Sequence, residues 1–217
     1  MLSKNLGALL AIFAAIALGW PLPLLPLQIL WINLVTDVFP AMALAVEPPA
    51  PGLMQRAPRR SDASLLAGPF LVLIAWQGTM LGMFLLCSYW WALHRYGAGP
   101  HARTIVMLTL IGGQVGHLFN CRSRRQSAFS HLFTNPFVWA AVGIVTTLQM
   151  MAIYFAPLAR VLDTARPAGD DWLILIASII APVTVVEAAK LFSRRTASST
   201  GSGPGRLADF LVGGTLA

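Results

Sequence analysis

Charge is what this sequence has least of. Only 11% of its 217 residues are Asp, Glu, Lys or Arg, against roughly 25% in an average soluble domain. With 57% hydrophobic residues and a mean hydropathy of +0.70, that scarcity excludes an ordinary soluble domain and points to a polytopic membrane protein. Acidic residues are rarer still, eight against fifteen Lys and Arg, leaving a net charge of +7. The excess does not indicate nucleic acid, because the basic residues fall in short loops between apolar spans and form no face interleaved with aromatics. In a membrane chain, charge is read by location. Two cysteines, Cys87 and Cys121, lie in or beside apolar segments and exclude a disulfide framework or a paired-cysteine metal site. The four histidines, His94, His101, His117 and His131, have no metal-ligand spacing. No Gly-rich phosphate loop is present, and no soluble domain longer than a loop.

What is there is a series of six apolar segments, 3–20, 24–45, 65–92, 103–120, 136–157 and 171–192, each judged against the roughly 20 residues that span a bilayer. They predict an all-α membrane bundle of six spans over 1–195, followed by a flexible cytoplasmic tail, 196–217, where Ser, Gly and Pro crowd together. The first segment, with Lys4 ahead of an Ala/Leu run and Ala15-Ile16-Ala17, reads either as a spanning helix or as a signal peptide covering Met1–Trp20. With residue 1 inside, the inner segments hold Lys4, Arg56, Arg59, Arg60, Arg122, Arg124, Arg125, Lys190, Arg194, Arg195 and Arg206. The outer loops hold only Arg95, Arg103, Arg160 and Arg166, beside Asp163, Asp170 and Asp171. This is a positive-inside distribution with both termini cytoplasmic, in an integral membrane protein of the plasma membrane. Trp76, Trp90, Trp91 and Tyr96 fit an aromatic belt at the outer interface.

One stretch departs from the apolar background. Gln28–Pro49 carries Asn33, Thr36 and Asp37 within five residues, followed by Pro40. A carboxylate at membrane depth costs at least a few kcal/mol on insertion scales, which makes it a functional-site hypothesis by default. Asn33 and Asp37 are four apart and share one helix face. Pro40 has no N–H to offer the Thr36 carbonyl, so the helix is expected to break at Asp37–Pro40. A carbonyl, a hydroxyl, an amide and a carboxylate then gather at one point, a donor set that suits a hard cation such as Ca²⁺.

Asn33-Leu34-Val35-Thr36-Asp37, a proline three residues later, Pro48-Pro49 and the basic run Arg56-Ala57-Pro58-Arg59-Arg60 together resemble the sixth transmembrane helix of cation-transporting P-type ATPases, with the closest match in the calcium-pump branch. Met1–Trp20 leading into Pro21-Leu22-Pro23 is similar to that family's fifth helix, and Ile111–Ser123 to the end of its eighth. The resemblance implies that this chain is the fifth to tenth helices of such a pump. It implies an ion site in which Asp37 is the main charged ligand, with Asn33, Thr36, Asn5 and Gln114 as further donors. Ala8 stands where two-site calcium pumps carry a Glu, and Gln114 where they carry another. One divalent ion per cycle, Ca²⁺ or Mn²⁺, is therefore expected rather than two. His117 and the pair Glu187 and Lys190 read as structural, and Gly112, Gly113 and Gly116 as points of close helix approach.

The Asp-Lys-Thr-Gly-Thr phosphorylation motif of the family is absent. By resemblance, ATP and Mg²⁺ belong to cytoplasmic domains in the N-terminal half, together with the fourth helix that completes the ion shell. Ca²⁺ takes 6–8 oxygens, more than these residues supply. The partners implied are the lipid bilayer and that N-terminal half, and no nucleic acid. Two other readings stay open: a non-catalytic membrane module that assembles with a partner, and a channel or secondary transporter built around the same helix.

Overall fold

The computed structural model describes residues 2–46, 68–122, 135–181 and 184–185. Among them the chain is all-helical: α1 Leu2–Ala17, α2 Pro26–Ala45, α3 Gly68–Tyr96, α4 Pro100–Arg122, α5 Pro136–Tyr154, the short α6 Ala156–Val161 and α7 Asp171–Ala181. The expected loop 46–64 beyond Val46, the residues past 185 and the tail 196–217 lie outside the described residues. The helices α2 and α5 are long and apolar enough to cross a membrane, whereas α1 and α7 are shorter apolar helices.

Local chemistry sets the helix starts. Pro26 and Pro136 occupy the first turns of α2 and α5, where the missing N–H has no intrahelical partner to lose. The Leu25 N–H, just ahead of α2, donates to Gln28 Oε1 at 3.0 Å. Asn135 caps α5 by accepting from the Phe137 N–H at 2.9 Å. Its Nδ2 donates to the Ala43 carbonyl at 3.2 Å, which ties the start of α5 to the last turn of α2. Pro100 starts α4 one turn before the expected residue 103. The fifth span stops at Tyr154 instead of 157, because the extended Phe155 and the proline that follows redirect the chain into α6.

The helix α1 packs most extensively on α3, and α2 bridges α4 and α5. Glycine makes the first contact possible. A Cβ on Gly7 would sit 2.7 Å from the Gly78 carbonyl, and one on Gly82 would sit 2.9 Å from the Gly7 carbonyl. Two helix backbones therefore touch, as small residues permit in membrane bundles. Gly112 on α4 makes room instead for the Ser178 and Leu175 side chains of α7.

Side-chain bonds gather the helix ends into two groups. At one end Tyr89 Oη donates to the Pro21 carbonyl at 2.7 Å, and buried Gln28 Nε2 donates to the Leu162 carbonyl at 2.8 Å. There Arg103 pairs with Asp163, and Tyr96 Oη donates to Asp171 at 2.9 Å. Asn135 and Ala43 meet at the other end. Arg95 pairs with Asp170 at the same end, at 3.5 Å. Trp76, expected in one aromatic belt with Trp90, Trp91 and Tyr96, does not lie with them. It lies 20 residues before Tyr96 on the same helix, about 30 Å along the axis, so it belongs toward the opposite end from Trp90, Trp91 and Tyr96.

The expected break at Asp37–Pro40 is corrected: α2 is helical without interruption from Pro26 to Ala45, with Pro40 inside it. The proline removes one backbone donor, but packing on α4 and α5 holds the helix on either side, which is how membrane helices tolerate proline.

Candidate cation site

Asn33, Thr36 and Asp37 follow one another on α2 at the three- and four-residue spacing that stacks side chains on one face. Thr36 is fully buried, while Asn33 and Asp37 are half-buried. Their oxygens converge on one atom. Lys4 Nζ, from the first turn of α1, donates to Asp37 Oδ1 at 2.6 Å, to Thr36 Oγ1 at 2.8 Å and to Asn33 Oδ1 at 3.3 Å. The Thr36 hydroxyl donates its own proton to the Ile32 carbonyl at 2.8 Å. Its lone pairs therefore face the ammonium.

Lys4 is 1% exposed. It is not the cytoplasmic topology charge that the sequence reading counts; that assignment is corrected here. A buried ammonium is tolerated only when paired and hydrogen-bonded, and the three α2 oxygens meet both conditions. The residue signal for this was present. Ser3, Lys4, Gly7, Ala11 and Ala15 are the buried positions of α1, a small-residue stripe with one lysine in it.

The remaining expected donors are placed differently. Asn5 is exposed, and the structure does not bring it to the α2 cluster. Gln114 is buried on α4, where it lines a cavity of about 10 Å³ that Lys4 also borders, together with Thr109 and Ser178. His117 is buried on the same helix. Among the described residues no three His, Cys, Asp or Glu side chains come together as a metal cluster. The site thus has one carboxylate and two neutral oxygens, arranged to hold a cation by partial neutralisation. They fit a hard cation but fill only part of a calcium shell.

The opposite end is closed by a second polar group. Buried Asp171 accepts from Tyr96 Oη at 2.9 Å and from the Ala168 N–H at 2.6 Å, and His101 stacks on Tyr96 with ring centroids 4.2 Å apart. These contacts join the ends of α3, α4 and α7.

Comparison with known proteins agrees with this architecture. Residues 21–192 match the family model for the C-terminus of cation transporting ATPases. The calcium-transporting ATPase 1 of Bacillus cereus is 35% identical over 211 residues, covering 88% of this chain and 23% of that protein. The calcium-transporting ATPase of Bacillus subtilis is 33% identical over 196 residues, covering 90% and 22%. A probable cation-transporting ATPase F of Mycobacterium tuberculosis is 36% identical over 198 residues, covering 89% and 21%. The chain spans less than a quarter of the length of these relatives. It belongs to the cation-transporting P-type ATPases, in their calcium-pump-like branch, and corresponds to the C-terminal helical region of such pumps.

Proposed function

We propose that this chain is the membrane half of an ATP-driven cation export pump and supplies one side of its intramembrane ion site. The observation that carries the reading is the convergence of Asn33, Thr36 and Asp37 oxygens on one cationic atom, at 2.6–3.3 Å. Calcium is the cargo that best suits an all-oxygen donor set, and the names of the relatives support it; Mn²⁺ is the alternative. Asp37 provides the charge that offsets dehydration of the ion, Thr36 and Asn33 orient it, and Gln114, which lines the cavity that Lys4 borders, is available for a fuller shell. Helices of the N-terminal half complete the coordination, and its cytoplasmic domains hold ATP and Mg²⁺. The bundle sits in the plasma membrane with both termini cytoplasmic. With Ala8 and Gln114 in place of acids, the site takes one divalent ion.

The test is equilibrium ⁴⁵Ca²⁺ binding to the complete pump containing this chain. Asp37→Asn keeps the side-chain size and one acceptor oxygen but removes the charge, so binding should fall by orders of magnitude; Asn33→Ala should weaken it modestly. Two ions bound per pump, or binding unchanged in Asp37→Asn, would reject this account.

A further inference from the structure

We propose that the open pocket at the turn from α5 into α6 binds the phosphate head group of an anionic phospholipid. The pocket has a volume of about 470 Å³, inside the roughly 300–1,000 Å³ of small-ligand sites. Its wall brings together the end of α5 (Tyr154), the α6 arginine Arg160, the first residue of α4 (Pro100) and the segment Thr164–Arg166. None of these residues belongs to the α2 cluster, so the proposal stands apart from the ion site.

Two arginines in this wall are uncommitted. Arg160 donates from Nε to the Ala156 carbonyl at 3.3 Å, which fixes the base of its guanidinium and leaves both Nη groups to bind elsewhere. Arg166 lies over the Tyr154 ring at 5.8 Å from the centroid, near enough for cation–π attraction to hold it at the pocket. Among the described residues neither arginine has an ion-pair partner. The carboxylate in the wall, Asp163, is taken by Arg103 and supplies no counter-charge to the other two. The pocket therefore carries uncompensated positive charge in planar N–H forks, the geometry that pairs two hydrogen bonds with phosphate oxygens.

Apolar surroundings select a lipid over a free anion. Tyr154, Phe155 and Val161 are exposed in the same short stretch of chain as Arg160. Tyr154 is also the last residue of α5, a helix long and apolar enough to cross a membrane. The end of a spanning helix, marked by an aromatic residue, is where a bilayer carries its head groups. There the acyl chains meet α5 and the phosphate meets the arginines. Basic pockets between spanning helices hold anionic head groups by this chemistry. A choline head group is disfavoured, because its cation would face two unpaired guanidinium groups, and the Tyr154 ring that could receive it is already covered by Arg166.

The experiment titrates the complete, delipidated pump in detergent and reads bound ligand by native mass spectrometry. The probes are phosphatidylglycerol, phosphatidylcholine with the same acyl chains, and glycerol 3-phosphate. Phosphatidylglycerol should bind, and the other two far more weakly. Arg160→Gln and Arg166→Gln should each weaken phosphatidylglycerol by about fivefold and together by about thirtyfold, the scale for basic residues against anionic lipid. Replacing both with lysine keeps the charge and should recover most of the binding. Arg95→Gln, at the same end but paired with Asp170, should leave it unchanged. Equal binding of the two lipids overturns the proposal, as does glycerol 3-phosphate binding as tightly as phosphatidylglycerol, which would make this a site for soluble anions. Unaltered binding in the double Gln variant, or an equal loss in Arg95→Gln, overturns it too. Both arginines are exposed, so the lipid-free double Gln variant should melt as the unaltered pump does. If it melts lower, the double Lys variant decides: recovered binding supports the site, and persistent loss overturns it.

Discussion

The ammonium of Lys4 and the carboxylate of Asp37 meet at 2.6 Å, yet they are not equally enclosed: the lysine side chain is 2% exposed and the aspartate side chain 30%. The cation of this pair is the interior partner, and the anion keeps one side open. Removing one member therefore has a different consequence from removing the other.

Asp37→Ala strands a buried ammonium, and breaking a buried pair in this way costs on the order of 3–5 kcal/mol. Lys4→Met leaves a carboxylate that is still partly open, at a smaller cost. The double variant should be nearly as stable as Lys4→Met alone. Thermal unfolding of the four proteins in detergent gives the coupling directly. Equal losses in the two single variants, or additive losses in the double, would contradict the burial asymmetry.

Glycine substitutions separate contact from propensity. At Gly7 a Cβ would press on the Gly78 carbonyl at 2.7 Å, so Gly7→Ala should force α1 away from α3 and lower the melting temperature. At Gly143 on α5 a Cβ meets nothing within 4 Å, so Gly143→Ala should be neutral or stabilising by up to about 1 kcal/mol through helix propensity. The ranking of the two melting curves is the measurement.

Gln149 on α5 is 2% exposed, and neither of its amide atoms has a hydrogen-bond partner among the described residues. An unsatisfied buried polar group costs about 1–3 kcal/mol. Gln149→Met keeps the length and removes the amide, and should raise thermal stability. A fall in stability would mean that the amide has a partner in the complete pump.

The helix ends also make an accessibility prediction. Arg95, Arg103, Arg160 and Arg166 lie with Asp163 and Asp170 at the end opposite the Ala43–Asn135 contact. With Cys87 and Cys121 replaced by serine, single cysteines at Gly99 or Gly169 should react with an impermeant reagent only from outside, and one at Val46 only from the cytoplasm. The reverse labelling would invert the assigned orientation.

How much of this was legible beforehand follows from the range of each interaction. Helical character is local, so the all-α architecture and the sharing of one face by Asn33 and Asp37 could be read from composition and spacing alone. Proline chemistry is local too, and Pro26 and Pro136 stand in the first turns of α2 and α5. It erred at Pro40, because the loss of one donor is a local effect whereas continuity of α2 is enforced by neighbouring helices. The same division explains Lys4. Its membership of the Gly7, Ala11 and Ala15 stripe was written in the sequence, but a lysine near the start of an apolar run looks the same whether it faces water or a carboxylate. Which it faces depends on how α1 is rotated and how deeply it is seated against its neighbours. That register is set by the backbone contact at Gly7, Gly78 and Gly82, residues some seventy positions apart. It turns Lys4 toward Asp37 and leaves Asn5 exposed, so the sequence by itself put the polar groups of α2 on one face, while only the packing of α1 on α3 brought the Lys4 ammonium to them.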